Sequence, residues 1–249
     1  MSGHSKWATI KHKKGAQDKA RGKLFAKLIR QVEVAAREGG GDISSNATLR
    51  TMYAKARESS VPLDTIERAI KRGTGELEGV RYEPVSYEGY AGSGVAVIVE
   101  CLTDNRNRTG SEIRSAFSRN GGSMAEPGAV AWQFERKGVV MVAKGPEEDE
   151  VMLVGLEAGA DDLSDNGDEY CLTCPSGDAG HLKEALQSSG FEVTSADVGL
   201  IPSTTVGLTN EADARKVLRL IDALEDHDDV QAVYANFDIP DDILEAVEA

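Results

Sequence analysis

Cys171-Leu172-Thr173-Cys174 has the spacing of a redox pair or of half a zinc site. A redox pair needs a helix amino terminus to lower its thiol. This pair instead lies late in a segment that reads as a strand, followed by Pro175, so residues three apart point to opposite faces. A zinc site needs two more ligands; His181 is the near candidate, and no second C-x-x-C exists. The cysteines therefore read as structural, and Cys101, on a strand of its own, has no neighbouring histidine to activate it. The four histidines, His4, His12, His181 and His227, are dispersed, and no G-x-S-x-G, G-x-x-x-x-G-K-[ST] or H-E-x-x-H occurs. The acidic runs Glu147-Glu148-Asp149-Glu150 and Asp226-His227-Asp228-Asp229 read as solvated helix ends. Nothing in this inventory asks for an active site, a metal or another cofactor, so a non-enzymatic protein is expected.

The chemistry that remains is the binding of anions. Asp104-Asn105-Arg106-Asn107-Arg108-Thr109 places Arg106 and Arg108 just before a helix whose first N–H groups are free, a geometry suited to phosphate. It is equally a turn in which one arginine pairs with Asp104 and the asparagines close the loop. A larger cationic set lies at the amino terminus. Lys6, Trp7, Lys11, His12, Lys13 and Lys14 form an arm with little to bury, expected to order on a phosphate backbone. Trp7 could stack on a base or pin the arm to the domain behind it. Next, Lys19, Lys23, Lys27, Arg30 and Arg37 fall within about 80° of one another at about 100° per residue, one stripe of a helix. Arg21 lies outside that arc, while Leu24, Phe25, Leu28, Val32, Ala35 and Ala36 occupy the opposite side.

The elements that must hold these residues follow from periodicity. Asp18 to Arg37 reads as the first helix, stopped by Gly39-Gly40-Gly41. Ser45 is the expected N-cap of a second helix carrying Leu49, Met52, Tyr53 and Ala56. A third helix has Pro62 near its first turn, Ile66, Ala69 and Ile70 inside, and Gly73 as its stop. Beyond Gly79 the period changes. Val95 to Val99 reads as a buried strand entered from the glycine-rich hairpin turn Gly89 to Gly94. Thr109 and Glu112 form a capping pattern for a helix carrying Ile113, Ala116 and Phe117, and Ala129 to Phe134, with Trp132, reads as another strand.

From Gly138 a β-α-β-β-α-β order appears: strand Val139 to Ala143, helix Glu147 to Leu156, strands Asp161 to Leu163 and Glu169 to Cys174, helix Ala179 to Ser188, strand Glu192 to Val198. A helix from Thr209 to Glu225 and a strand from Val230 to Phe237 have no local partners and are expected to complete the unit begun at Val80. The expected fold is thus α+β: an amino-terminal three-helix bundle with its arm (1–79), a discontinuous α/β domain (80–136 plus 203–249), and an inserted ferredoxin-like βαββαβ domain (137–202).

Charge divides along the same line. The chain of 249 residues has a net charge of -14, 40% hydrophobic and 28% charged residues, and a mean hydropathy of -0.34, as expected of a globular protein. Yet Met1 to Arg37 holds ten Lys and Arg against Asp18 and Glu33, a net of +8. The chain after Val80 carries -21. A basic head on an acidic body is the footprint of a module that meets a polyanion while the remainder repels it. The body is expected to contact basic protein surfaces or to space the head. No apolar run reaches the roughly 18 residues of a membrane helix, and Met1 to Ile10 has no signal-peptide core, so the cytoplasm is the expected compartment and no membrane partner is expected. Three cysteines fit a reducing environment.

Several runs resemble the YebC/PmpR family: Gly3-His4-Ser5-Lys6-Trp7, Ile10-Lys11-His12-Lys13, Arg21-Gly22-Lys23, Lys27-Leu28-Ile29-Arg30, Gly73-Thr74-Gly75, Tyr87-Glu88-Gly89-Tyr90, Asp104 to Thr109 and Pro127 to Trp132. They span essentially the whole chain. The resemblance implies three domains, one of two α/β domains being inserted in the other. It also implies a regulator of gene expression, described in the family either as a DNA-binding transcriptional regulator or as a bacterial or mitochondrial translation factor acting on ribosomes stalled at proline-rich sequences. The partner is accordingly expected to be nucleic acid, DNA or ribosomal RNA, with the ribosome as a possible host and the protein acting as a monomer. No helix shows an obvious base-reading set.

Overall fold

The computed structural model describes residues 19–248. The arm with Lys6, Trp7, Lys11, His12, Lys13 and Lys14 lies outside the described residues, as do the side chains of Lys19 and Arg21.

Three helices form the head: α1 (Lys19–Gly39), α2 (Ala47–Glu58) and α3 (Leu63–Gly73). Leu28, Val32, Ala35 and Ala36 of α1 pack on Leu49, Ala56, Ile66 and Ala69, as periodicity requires. Leu24, at the margin of the apolar arc, is exposed instead. The N-cap of α2 is Asn46, not Ser45. Its Oδ1 accepts from Leu49 N at 3.0 Å while its Nδ2 donates to Ala35 O and Gly40 O at 2.8 Å, so one buried amide closes both helix ends, which a hydroxyl cannot do. Gly40, at φ +85°, makes the turn out of α1. Gly73 acts by size: a Cβ there would stand 2.4 Å from Glu33 O and 2.8 Å from the Ala36 Cβ. Gly73→Ala is therefore expected to push α1 and α3 apart and cost about 1–3 kcal/mol in urea unfolding; unchanged stability would show that the helices can part freely.

The body begins with β1 (Glu83–Tyr90) and β2 (Ala96–Thr103), an antiparallel hairpin, followed by α4 (Arg106–Arg119) and the short β3 (Ser123–Met124). The glycine-rich run is only partly a turn. Gly89 and Tyr90 belong to β1, and Gly89 lets the Phe117 ring lie against the backbone, where a Cβ would be 2.7 Å from its Cε1. The cap of α4 is Asn105, whose Oδ1 accepts from Arg108 N at 3.1 Å, so the Thr109–Glu112 capping pattern is displaced and Thr109 is buried in the first turn. Of the stretch Ala129 to Phe134, only Phe134 is in a strand, where it opens the next one. The buried Glu88 carboxylate accepts from the N–H groups of Gly128, Val130 and Ala131 at 2.6–2.8 Å, which curls this stretch into a loop ending in a 3₁₀ turn and leaves Trp132 75% exposed.

The next unit holds β4 (Phe134–Ala143), α5 (Glu148–Glu157), β5 (Asp162–Asp165), β6 (Glu169–Pro175), α6 (Ala179–Ser188) and β7 (Val193–Pro202). Its antiparallel sheet has the order β5-β6-β4-β7, the ferredoxin-like arrangement. The chain then returns through β8 (Val206–Gly207), α7 (Glu211–Glu225), β9 (Val230–Ala235), β10 (Phe237–Asp238) and an additional helix, α8 (Asp241–Glu248). Strand β9 pairs antiparallel with β2, giving a sheet of order β3-β1-β2-β9 that is completed only after the ferredoxin-like unit has been traversed. Strand β2 is apolar from Ala96 to Val99 because both of its faces are covered there. Val95, Val97, Val99 and Cys101 pack beneath α4 and α7, while Ala96 and Ile98 meet Val130, Phe134 and Tyr234 on the other side.

Candidate nucleic-acid interface

Helix α1 brings Lys23, Lys27 and Arg30 to one face, and that face is turned toward the carboxyl end of α7. Lys23 Nζ donates to Asp226 Oδ1 at 2.8 Å and to Asp226 O at 3.0 Å, and Lys27 Nζ donates to Glu225 O at 2.9 Å. Arg30 reaches Asp228 O, contacts Asp229 Oδ1 at 3.2 Å, and lies over the Tyr82 ring at 5.1 Å. Arg37, about two turns beyond, turns away from this group to Glu33, at 3.3 Å, and to the carbonyls of Val80 and Tyr82, fixing the connection between head and body. Of the five-residue stripe, three residues grip the body and one arginine grips the linker, the side chain of Lys19 lying outside the described residues.

The acceptor of this grip is the run read from sequence as a solvated helix end. Helix α7 has no basic residue in its last turn. Its terminal carbonyls and the three aspartates that follow stack negative charge on the negative end of a helix dipole, which is unfavourable without cations supplied from elsewhere. That local deficit was the signal in the sequence pointing to a partner for the stripe.

Asp229 is the centre of the arrangement and is buried, 3% exposed. Its Oδ2 accepts from Arg108 Nη2 at 2.8 Å and from the Thr109 hydroxyl at 2.7 Å, and its main-chain O accepts from Leu102 N at 2.8 Å. Burial alone would raise its pKa. The hydrogen bonds from Arg108 and Thr109, then the charges of Arg108 and Arg30, outweigh that and hold it below the ordinary carboxylate value. A depressed carboxylate contributes stability that is present above its unfolded pKa, about 3.9, and lost as pH falls through the folded value. Asp229→Asn should therefore lose less stability than the parent when urea unfolding is compared at neutral pH and below about pH 4; equal losses would remove Asp229 from the acid response.

The two arginines of the Asp104–Thr109 segment are engaged as well. Arg108 also pairs with Asp104 at 2.8 Å, and Arg106 pairs with Glu83 at 3.1 Å while donating to Pro84 O at 3.3 Å. The first turn of α4 is capped by Asn105, which closes the turn while both arginine side chains stay partly exposed. Between head and body lies a cleft of about 550 Å³ lined by Arg30, Tyr82, Asp104, Arg108, Glu112 and residues 226–229. On its wall His227 Nδ1 accepts from Asp229 N at 3.1 Å, so its Nε2 is positioned to donate to Glu112 Oε2 at 2.7 Å.

The cysteines stand apart from this site. Tyr170, Leu172 and Cys174 share the core of the ferredoxin-like unit, and Cys171 points to the opposite face. Burial pushes the Cys171 thiol up to about 11 and that of Cys101 up to about 12, so neither is a thiolate at neutral pH. Among the described residues no group of three or more His, Cys, Asp and Glu side chains gathers as metal ligands, and no helix is long and apolar enough to cross a membrane.

Family models and relatives match this chain along nearly all its length. Residues 5–76 match the model of the TACO1/YebC protein N-terminal domain, and residues 82–237 that of the TACO1/YebC second and third domain. A protein of Thermobifida fusca is 57% identical over 246 residues, covering 98% of both chains, and one of Salinispora arenicola is 56% identical with the same coverage. One of Acidothermus cellulolyticus is 56% identical over 249 residues, covering 99% of this chain and all of its own. Each bears the name probable transcriptional regulatory protein. The crystal structure of the conserved hypothetical protein Aq1575 from Aquifex aeolicus superposes with a TM-score of 0.83 at 44% identity, covering 91% of this chain and 94% of that one.

Proposed function

Because this chain belongs to the TACO1/YebC family, we propose that it is a transcriptional regulator that acts by binding DNA in the cytoplasm, as a monomer and without catalysis. The observation that carries this reading is the trio Lys23, Lys27 and Arg30, which lies along one helix face and already holds carbonyl and carboxylate oxygens rather than apolar groups. A surface that satisfies its cations with successive oxygens is chemically suited to a phosphate backbone. The arm residues Lys6, Trp7, Lys11, His12, Lys13 and Lys14, together with Lys19, would extend this track toward the amino terminus, with Arg37 at its far end and Arg106 and Arg108 across the cleft. The relatives' name, which speaks of transcription, favours DNA as the polyanion.

Ribosomal RNA presents the same phosphate chemistry, and a ribosome-bound translation factor is the reading that would replace this one if RNA were the target. Electrophoretic mobility shift with a mixed-sequence duplex and with an rRNA hairpin, each titrated at several salt concentrations, separates them. Binding to duplex that weakens steeply with salt supports the proposal; preference for the hairpin, or affinity indifferent to salt, overturns it.

A further inference from the structure

Among the described residues, the cations Lys23, Lys27 and Arg30 of the α1 stripe are already engaged with oxygens of their own chain. Lys23 and Lys27 sit on the terminal carbonyls of α7, Lys23 adds the Asp226 carboxylate, and Arg30 adds that of Asp229. Oxygens at the end of one helix thus occupy the same cations that a phosphate backbone would need.

Among the described residues, the head and body share polar contacts and the stacking of Arg30 over the Tyr82 ring. The apolar cluster of the head contains no body residue, and none of the three body clusters contains a head residue. Beyond the trio, and Arg37 on the carbonyls of Val80 and Tyr82, the contacts between the two parts include Gln31 Nε2 on Gln231 Oε1 at 3.2 Å, Lys55 on Asp197, and Lys183 near Glu58 at 3.6 Å. Asp226 is 80% exposed on its side chain and Lys23 45%, so water and salt reach the pair directly. A junction held by polar pairs, with no apolar core shared by head and body among the described residues, is one that a competing polyanion can open.

We propose that residues 225–229 are an internal competitor for the α1 stripe, and that a nucleic-acid backbone binds by displacing them and freeing the head from the body. This rests on the reading of the head as the nucleic-acid-binding part. Binding is then weakened by the fraction of molecules in which the stripe is occupied, and removing the competitor restores it. The acidic segment serves specificity: weak or isolated anions do not displace several oxygens at once, whereas a continuous backbone does.

The test uses the full chain with spin labels at Ala54→Cys on α2 and Ser118→Cys on α4, both exposed positions, the native cysteines being buried. Distances between the labels are measured with and without a mixed-sequence DNA duplex, and with increasing salt. Duplex affinity is measured for Asp226→Asn with Asp228→Asn against a control of equal charge change, Asp149→Asn with Glu150→Gln on α5. The proposal expects the label distance to lengthen when duplex or salt is added, and the Asp226/Asp228 pair to lengthen it at lower salt than the parent needs. It also expects that pair to bind duplex about tenfold more tightly than the control. Binding with no change in label distance, or affinity equal to that of the control, overturns the competitor while leaving the nucleic-acid reading intact. Absence of binding by every form of the protein overturns the nucleic-acid reading and the competitor with it.

Discussion

Replacing Lys23, Lys27 and Arg30 together by alanine is expected to weaken DNA binding about a hundredfold at moderate salt and to flatten the dependence of log affinity on log salt by about two to three. Each lysine or arginine that neutralises a phosphate releases a counterion, so removing three such contacts removes that much of the salt dependence. The same substitutions also break the contacts with residues 225–229, and the head of the variant is released. Loss of affinity in a protein whose head is free separates the two roles of the trio: release alone would strengthen binding, while loss of the phosphate-binding cations weakens it. An unchanged slope in the triple variant would mean that the phosphates are held elsewhere.

The second large effect concerns stability. Glu33 is 2% exposed in the head, with Arg72 Nε at 2.9 Å on one carboxylate oxygen and Arg37 Nη2 at 3.3 Å on the other. Glu33→Ala leaves two half-buried guanidinium groups facing each other without their shared anion, and the expected loss is about 3 kcal/mol. Glu33→Gln, which keeps one acceptor oxygen and the side-chain volume, should lose less. In urea unfolding of the full chain followed by far-ultraviolet circular dichroism, the Glu33→Ala head should unfold in an earlier step of its own. A single transition at the parent midpoint would show that Glu33 is dispensable. Because Arg37 also holds the carbonyls of Val80 and Tyr82, this variant should loosen the connection to the body as well.

Much of the fold was legible because its elements advertise themselves locally. The 3.6-residue repeat of Leu28, Val32, Ala35 and Ala36, and the apolar run Val95 to Val99, identify a helix and a doubly covered strand without tertiary knowledge. The β-α-β-β-α-β order was readable for the same reason. The errors fall where a distant group decides a local conformation. Thr109 resembles a cap, yet its hydroxyl is taken by Asp229 from 120 residues away, and Asn105 caps instead. Ala129 to Phe134 resembles a strand, yet the carboxylate of Glu88 gathers its N–H groups into a loop. Strand β1 carries Gly89 because of the Phe117 ring, a requirement that no local pattern displays.

The site divides in the same way. That Lys23, Lys27 and Arg30 share a face follows from helix geometry, and the structure places them together. What faces them did not follow, since Asp226, Asp228 and Asp229 look in isolation like any solvated acidic run. The opposite charges of head and body, and a helix end lacking its own cations, were the two clues, and they become a contact only once the chain folds back on itself. The Asp104–Thr109 segment was open to two readings, and the pairing of Arg108 with Asp104 matches the turn.

Ultraviolet crosslinking in growing cells, followed by sequencing of the nucleic acid that stays attached to the purified protein, tests the central claim most directly. The account predicts reads clustered in promoter DNA for the parent chain, and their loss when Lys23, Lys27 and Arg30 are replaced. Reads concentrated in ribosomal RNA, or promoter reads that persist unchanged in the triple variant, would contradict it.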